Sequence, residues 1–251
     1  MANGPEPVID VQGVYKSFNG FQVLKGIDLK MMPGTTTVVL GGSGSGKTVL
    51  MKHIMGLFKP DKGRVLVDGE DVSHMGRQEL SVFRQRMGMV FQSSALFDSM
   101  TVGDNVAFPL REHSKLSEVE IMEKVKEKLA IVDLHGVEGK FPAELSGGMR
   151  KRVGLARAIV REPKIVLYDE PTTGLDPLTT ESVDEMIITA RQRLGVTSVV
   201  ISHDVGSAFH IGDRIAVINE GRIVVEGTPE EVRHTQEPFT RHFLATWFGR
   251  T

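Results

Sequence analysis

Cysteine is absent from the 251 residues. That removes disulfides and thiolate metal sites, and it is compatible with a reducing compartment. No charge sign dominates either: 30 Lys and Arg stand against 32 Asp and Glu, a formal net charge of -2. The chain therefore has no global field for a polyanion, and nucleic acid is not expected as a partner. No uninterrupted apolar run reaches the ~18 to 20 residues that a membrane-spanning helix needs, and the opening MANGPEPVID lacks the basic-then-apolar order of a secretory signal. Work at a membrane would require another chain to hold this one there. Internal repeats and low-complexity segments are also missing. What remains is 40% hydrophobic and 25% charged residues, with a mean hydropathy of -0.08. This is the composition of an ordinary globular chain, long enough for one large α/β domain or a domain with an inserted subdomain.

Local patterns set the expected architecture. VIDVQGVYKSF and FQVLKGIDLKM alternate apolar and polar residues around Asn19 and Gly20, which predicts a β-hairpin with one buried face. Thr36 to Leu40 reads as a strand running into GGSGSGKT, and TVLMKHIMGLF then has helical spacing up to Lys59 and Pro60. GRVLVDG and MGMVF read as further strands, as do KIVLYD, SVVIS and RIAVI, with a helix over about Thr179 to Leu194. Ser117 and Glu120 have capping-box spacing, and Ile121, Val125, Leu129 and Val132 fall on one helical face. The mostly helical pattern is clearest from about Leu110 to Val160, so a helical subdomain is expected as an insertion over roughly residues 93–160. The expected fold is α/β, with a mostly parallel sheet, an N-terminal antiparallel β subdomain and this insertion, in one domain spanning residues 1–251.

Gly41 to Thr48 satisfies GxxxxGK[ST] between a strand and a helix, the context that gives the pattern its chemistry. Gly41, Gly42, Gly44 and Gly46, with Ser43 and Ser45, let backbone N–H groups turn inward around a polyphosphate. Lys47 can reach the outer phosphates, and the Thr48 hydroxyl can ligate Mg²⁺. Asp169 ends the apolar run Ile165 to Tyr168 as a candidate metal carboxylate, and Glu170 follows as a candidate general base for water. Leu145, Ser146, Gly147 and Gly148 form a second glycine-rich turn that opens a helix, with Ser146 as N-cap and an anion-binding end. Two such elements suggest convergence on one nucleotide. Spacing leaves open whether that happens within a chain or across a dimer.

The ordered set GGSGSGKT, Gln92 after MGMVF, LSGG at Leu145 to Gly148, IVLYDEPTTGLD, and SHD at Ser202 to Asp204 resembles the nucleotide-binding subunits of ABC transporters over nearly the whole chain. That resemblance implies ATP hydrolysis with Mg²⁺. It also implies a head-to-tail dimer in which the LSGG turn of one copy closes on the ATP held by the other. Carried over residue by residue, it makes Phe18 the aromatic that stacks on adenine. Gln92 becomes the lid residue that contacts Mg²⁺ and water, and His203 the switch that touches the outer phosphate and orients Glu170. Gly174, Leu175 and Asp176 become the turn that crosses the dimer interface. One departure is Met149, where the family usually has Gln, which puts in doubt the contacts a Gln would make at the dimer seam. LSGGMRKRVGLARAI and FQSSALFDSMTVGDNVAFPL resemble the ATPases of MCE-type lipid transporters, particularly the Mla system that maintains outer-membrane lipid asymmetry.

The expectation is thus an ATPase subunit that energises phospholipid transport, held on the cytoplasmic side of the inner membrane by an integral permease. An MCE-domain lipid-binding subunit and a small cytoplasmic regulatory subunit are further expected partners. The alternatives are an ATPase for import of another small solute and a soluble non-transport ABC ATPase. Intact Lys47, Asp169, Glu170 and His203 argue against a module without turnover. Ala95, Leu96, Phe97, Met100 and Val102 could receive a helix of a membrane subunit or could be local core. The aromatic tail over roughly residues 236–251, with Phe239, Phe243, Leu244, Trp247 and Phe248, should dock on its own domain or on a neighbour.

Overall fold

The computed structural model describes residues 6–249. They form two compact units, one of residues up to Arg84 with those from Val199 onward, the other Gln85–Ser198.

In the first unit, β1 (Ile9–Phe18) and β2 (Phe21–Met31) pair antiparallel, with Phe18 opposite Phe21. Asn19 and Gly20 between them have φ of 51° and 83°, the left-handed pair that lets a two-residue turn follow the strand twist. β4 (Lys62–Val67) pairs with β1 and the short β5 (Glu70–Asp71) with β4, giving the order β2-β1-β4-β5. Ile9, Val11, Val14, Leu24, Ile27, Val65 and Val67 bury the inner face. The same unit holds β3 (Thr36–Leu40), buried at all five positions, and α1 (Lys47–Ile54). Helical spacing predicts α1 as far as Phe58. The helix ends at Ile54 because the chain turns at Met55 and Gly56, where φ of Gly56 is 62°.

The larger sheet has the order β10-β9-β3-β8-β7-β6, and the division between the units falls inside β8 (Thr197–Ser202). β9 (Arg214–Asn219) runs parallel to β3 and forms a hairpin with β10 (Arg222–Gly227). In the second unit β6 (Met87–Val90) runs parallel to β7 (Ile165–Asp169). Phe91, expected to end a buried strand, is 42% exposed, because the chain leaves the edge strand β6 in a turn closed by Ser94 N–H donating to the Phe91 carbonyl.

The helices of the second unit follow their sequence signals. α3 (Val102–His113) is capped by Thr101, and α4 (Glu118–Ile131) has both halves of the Ser117/Glu120 capping box. α5 (Gly147–Ile159) starts at Ser146, and α6 (Pro177–Leu194) is capped by Asp176 and ends at Gly195 in the left-handed region. Val106, Leu110, Ile121, Val125, Leu129, Val153 and Ile159 form their apolar core.

The shorter helices α2 (Arg77–Arg84), α7 (Val205–Ile211), α8 (Pro229–Arg233) and α9 (Pro238–Phe248) belong to the first unit. α9 lies on its own unit. Leu244 is buried, Phe248 meets Phe209 edge-on at 5.3 Å, and the Arg233 guanidinium sits 4.4 Å from the Phe248 ring centre. Among the described residues no helix is long and apolar enough to cross a membrane.

Candidate functional site

In the first unit, the glycine loop leaves the buried strand β3 and enters α1 through Gly46, whose φ of 110° and ψ of 0° suit a residue without Cβ. Gly41 is fixed by space: a Cβ there would lie 2.3 Å from the Ile218 carbonyl oxygen. The start of α1 has no side-chain cap and no acidic residue in its first turn, so the helix dipole presents its positive end to the loop without a neutralising carboxylate. Lys47 is buried, and its ammonium donates to the carbonyls of Gly41 at 2.8 Å and Gly42 at 3.0 Å. Ser45 is buried with a hydroxyl that has no hydrogen-bond partner, a polar atom that a phosphate oxygen would satisfy. Gly221 N–H donates to the Ser45 carbonyl and ties the loop to the β9–β10 turn. Ser43 and Gly44 are exposed, and Gly42 and Thr48 half-buried.

Gly41 N–H donates to the Ser202 carbonyl at 3.3 Å, so the loop starts beside the end of β8. His203 follows there and is exposed, and Asp204 next to it caps α7 through Ser207 N–H at 3.1 Å. Phe18 is 37% exposed at the end of β1, with Phe58 edge-on at 5.3 Å. The two residues before it are held by Asp61, which accepts from Ser17 N–H at 2.6 Å and from Lys16 Nζ at 2.8 Å. These bonds, the one from Lys16 foremost, lower the Asp61 pKa. The sequence gives no signal for this support, because Lys16 and Asp61 are 45 positions apart.

In the second unit, β7 and β6 end side by side, with Val90 opposite Tyr168. Asp169 and Glu170 leave one strand end and Gln92 the other, all at carboxyl ends of parallel strands, where α/β sheets bind their ligands. Asp169 and Glu170 are half-buried, and Gln92 is exposed. Glu170 has a φ of 50° and accepts a hydrogen bond from the Thr173 hydroxyl at 3.0 Å. A left-handed non-glycine residue at a strand end is strain of the kind that collects at functional sites.

The LSGG turn lies elsewhere in this unit. Leu145 is buried and Ser146 accepts from Met149 N–H at 3.2 Å. Ser146, Gly147 and Gly148 line a cavity of about 720 Å³ together with Gly174, Leu175 and Asp176. Asp169, Glu170 and Gln92 do not line it. Asp176 accepts from both the hydroxyl and the amide of Thr179, and these bonds lower its pKa.

Thr48 in the first unit, and Asp169 and Gln92 in the second, each carry a side-chain oxygen of the type that suits a hard divalent cation such as Mg²⁺. Among the described residues no group of three or more His, Asp or Glu could hold a metal. Sequence reasoning missed Lys151 and Arg157 of α5, whose side chains bond the loop after β6. The basic run RKR was visible, but not which of its members points inward.

Residues 24–173 match the family described as ABC transporter. The protein named "Probable ribonucleotide transport ATP-binding protein mkl" of Mycobacterium tuberculosis H37Rv is 42% identical over 236 residues, 94% of this chain and 66% of its own. This chain thus spans just under two thirds of the length of that relative. The intermembrane phospholipid transport system ATP-binding protein MlaF of Escherichia coli K12 is 40% identical over 237 residues, covering 94% of this chain and 88% of its own. Among solved structures, cbiO1 of Clostridium perfringens, part of the cbiONQ ABC transporter complex, aligns with a TM-score of 0.86 at 31% identity over 98% of this chain and 97% of its own. A dimeric ATP-binding cassette in a post-hydrolysis state, bound to ADP and Pi, aligns with a TM-score of 0.79 at 30% identity over 88% of this chain and 98% of its own.

Proposed function

The chain belongs to the ABC transporter family, and from that premise we propose that it is the ATP-binding and ATP-hydrolysing subunit of a transporter that moves phospholipid at the inner membrane. The ATPase part rests on the glycine loop, where an uncapped helix start, the buried Lys47 ammonium and the unsatisfied Ser45 hydroxyl converge on one backbone turn. The phospholipid part rests on the 40% identity to MlaF across 94% of the chain.

The chemistry assigned to each residue follows from its type and setting. The backbone amides of Gly41–Thr48 and the Ser43 and Ser45 hydroxyls hold the polyphosphate, and Lys47 moves its hydrogen bonds from the Gly41 and Gly42 carbonyls to phosphate oxygens. Thr48, Asp169 and Gln92 hold Mg²⁺. When bound, the metal neutralises charge that develops on the phosphates. Glu170 takes the proton from the attacking water, Thr173 fixes its carboxylate, and His203 touches the outer phosphate and orients Glu170. Phe18, part-exposed at the end of β1, stacks on the adenine.

Ser146, Gly147 and Gly148 serve the ATP of a second copy, with Gly174, Leu175 and Asp176 beside them at the seam. The region 93–160 is the helical subdomain, whose exposed Phe97 faces a membrane permease. An MCE-domain protein and a small cytoplasmic subunit complete the assembly, which holds the chain peripherally on the cytoplasmic side of the inner membrane.

Glu170→Gln tests the catalytic assignment. With ATP and Mg²⁺ it should migrate as a stable dimer on size-exclusion chromatography and hydrolyse ATP at least about 100-fold more slowly. A monomer under those conditions would sink the assignment. Affinity purification from detergent-solubilised membranes followed by mass spectrometry tests the transport assignment. A polytopic permease with an MCE-domain protein supports it. A permease with a soluble solute-binding protein points instead to import of another small solute, and ribosomal proteins or no partner remove the transporter.

A further inference from the structure

The start of α5 and the loop after β6 are joined by two cations whose partners are peptide carbonyls. Lys151 is buried at 6% exposure, and its ammonium donates to the carbonyl oxygen of Gln92. Two turns further along the helix, Arg157 donates to the carbonyls of Ser94 and Ala95, each at 2.7 Å. Gly154 lies between them and faces Ser94. Ser94 and Ala95 are consecutive non-glycine residues with φ of 62° and 45°, a strained backbone that persists only where its surroundings over-determine it.

The far end of this loop is fixed as firmly. Asn105 of α3 is fully buried, accepts from Phe97 N–H at 2.8 Å, and donates to the carbonyls of Phe97, Met100 and Thr101 at 3.0–3.1 Å. The loop that carries Gln92 is therefore pinned to helices at both ends.

Burial lowers the Lys151 pKa and likewise that of Arg157. Keeping a cation in that place costs desolvation, which a charge-assisted bond to a fixed carbonyl offsets and an idle side chain would not. The bond is made to the backbone of Gln92 itself. Lys151 sits five residues after the N-cap Ser146, about 7.5 Å along a straight helix, so the displacement of Gln92 and that of the LSGG turn share one short rigid element.

We propose that Lys151 is a positioning residue for hydrolysis, fixing the Gln92 loop to α5 so that Gln92 and Ser146–Gly148 move as one body. Engagement of Gln92 at its own nucleotide then sets the position of the turn offered to the nucleotide of the second copy. The inference rests on the ATPase reading above and goes beyond it by naming the mechanical link.

The test compares wild type with Lys151→Met, which keeps the stem and loses the charge, and Lys151→Arg, which keeps the charge. Steady-state hydrolysis and hydrogen exchange are measured on the full chain. Lys151→Met should lower kcat about tenfold, the scale of one charge-assisted bond lost in the transition state, while KM for ATP stays within about twofold because Gly41–Thr48 are untouched. Lys151→Arg should restore kcat to within about twofold. In Lys151→Met, exchange should rise together over residues 92–96 and 146–149.

A Lys151→Met kcat within about twofold of wild type overturns the inference, and so does a Lys151→Arg variant as slow as Lys151→Met. Exchange that rises over 92–96 and leaves 146–149 unchanged overturns it too. If Lys151→Met does not fold, Lys151→Gln, which keeps a neutral donor, is read by the same outcomes with a smaller loss in kcat. Wild type that hydrolyses no ATP removes the ATPase reading, and the exchange measurement still decides whether the two segments are linked.

Discussion

The turn that opens α1 and the turn that opens α5 are both glycine-rich and both lead into a helix, but only the second is closed by its own side chain. At α5, Ser146 accepts from Met149 N–H, and buried Leu145 anchors the approach. At α1, Gly46 provides no cap, and the loop's polar capacity is held in backbone amides, the Lys47 ammonium and an unpaired Ser45 hydroxyl. A helix end without a side-chain cap leaves its N–H groups to water or a ligand, whereas a capped end is already partly satisfied and has less to offer one. On the function proposed above, the same residue types thus serve as a primary phosphate cradle in one place and a supplementary one in the other.

Lys47→Ala should give the largest effect on this contrast. It removes the charge that can leave the Gly41 and Gly42 carbonyls for phosphate, so kcat/KM for ATP should fall at least about 100-fold. Near-wild-type hydrolysis by this variant would break the comparison, because the α1 turn would then not be the primary cradle. Ser146→Ala should be milder for the fold, with a loss of about 1 kcal/mol from the missing cap. Denaturant unfolding measures that loss, and binding of a fluorescent ATP analogue by the single chain should be unchanged. Weakened binding to the isolated chain would show that the α5 turn acts on its own nucleotide.

The smallest effect concerns Asp176, beside the LSGG turn. Its folded-state pKa is lowered by the bonds from Thr179, so its contribution is present above the ordinary carboxylate pKa of about 4 and is lost as pH falls through the lowered value. Asp176→Asn should be slightly less stable than wild type at pH 7, and the difference should shrink between about pH 5 and pH 3, where wild type loses the contribution and the variant has none to lose. Equal acid sensitivity of the two proteins would remove Asp176 from that account.

Much of the larger sheet and the candidate site residues proposed above are legible in the residues alone, for local reasons. The hairpin at Asn19–Gly20, the buried strands and the Ser117 capping box each follow from patterns within a few positions. The places where reading failed are local turns, edge positions and contacts between distant groups. α1 stops at Ile54 rather than Phe58, and Phe91 leaves the sheet because β6 is an edge strand. β10 leaves no buried-strand run, because its residues before Gly227 are exposed or half-buried, and α7 and α8, of seven and five residues, are too short for helical periodicity to register. Lys16 and Asp61 behind Phe18 meet across 45 positions, and Lys151 meets Gln92 across 59.

The sequence by itself determined the candidate site, because a GxxxxGK[ST] loop, a carboxylate pair after a buried strand and a serine-capped glycine turn are each written in contiguous residues whose spacing fixes their local geometry. Tertiary structure alone decided the supports. Which carbonyl receives Lys151, which turn shares a cavity with Ser146, and which carboxylate holds the two residues before Phe18 depend on long-range packing, and packing brings together residues that no local period connects.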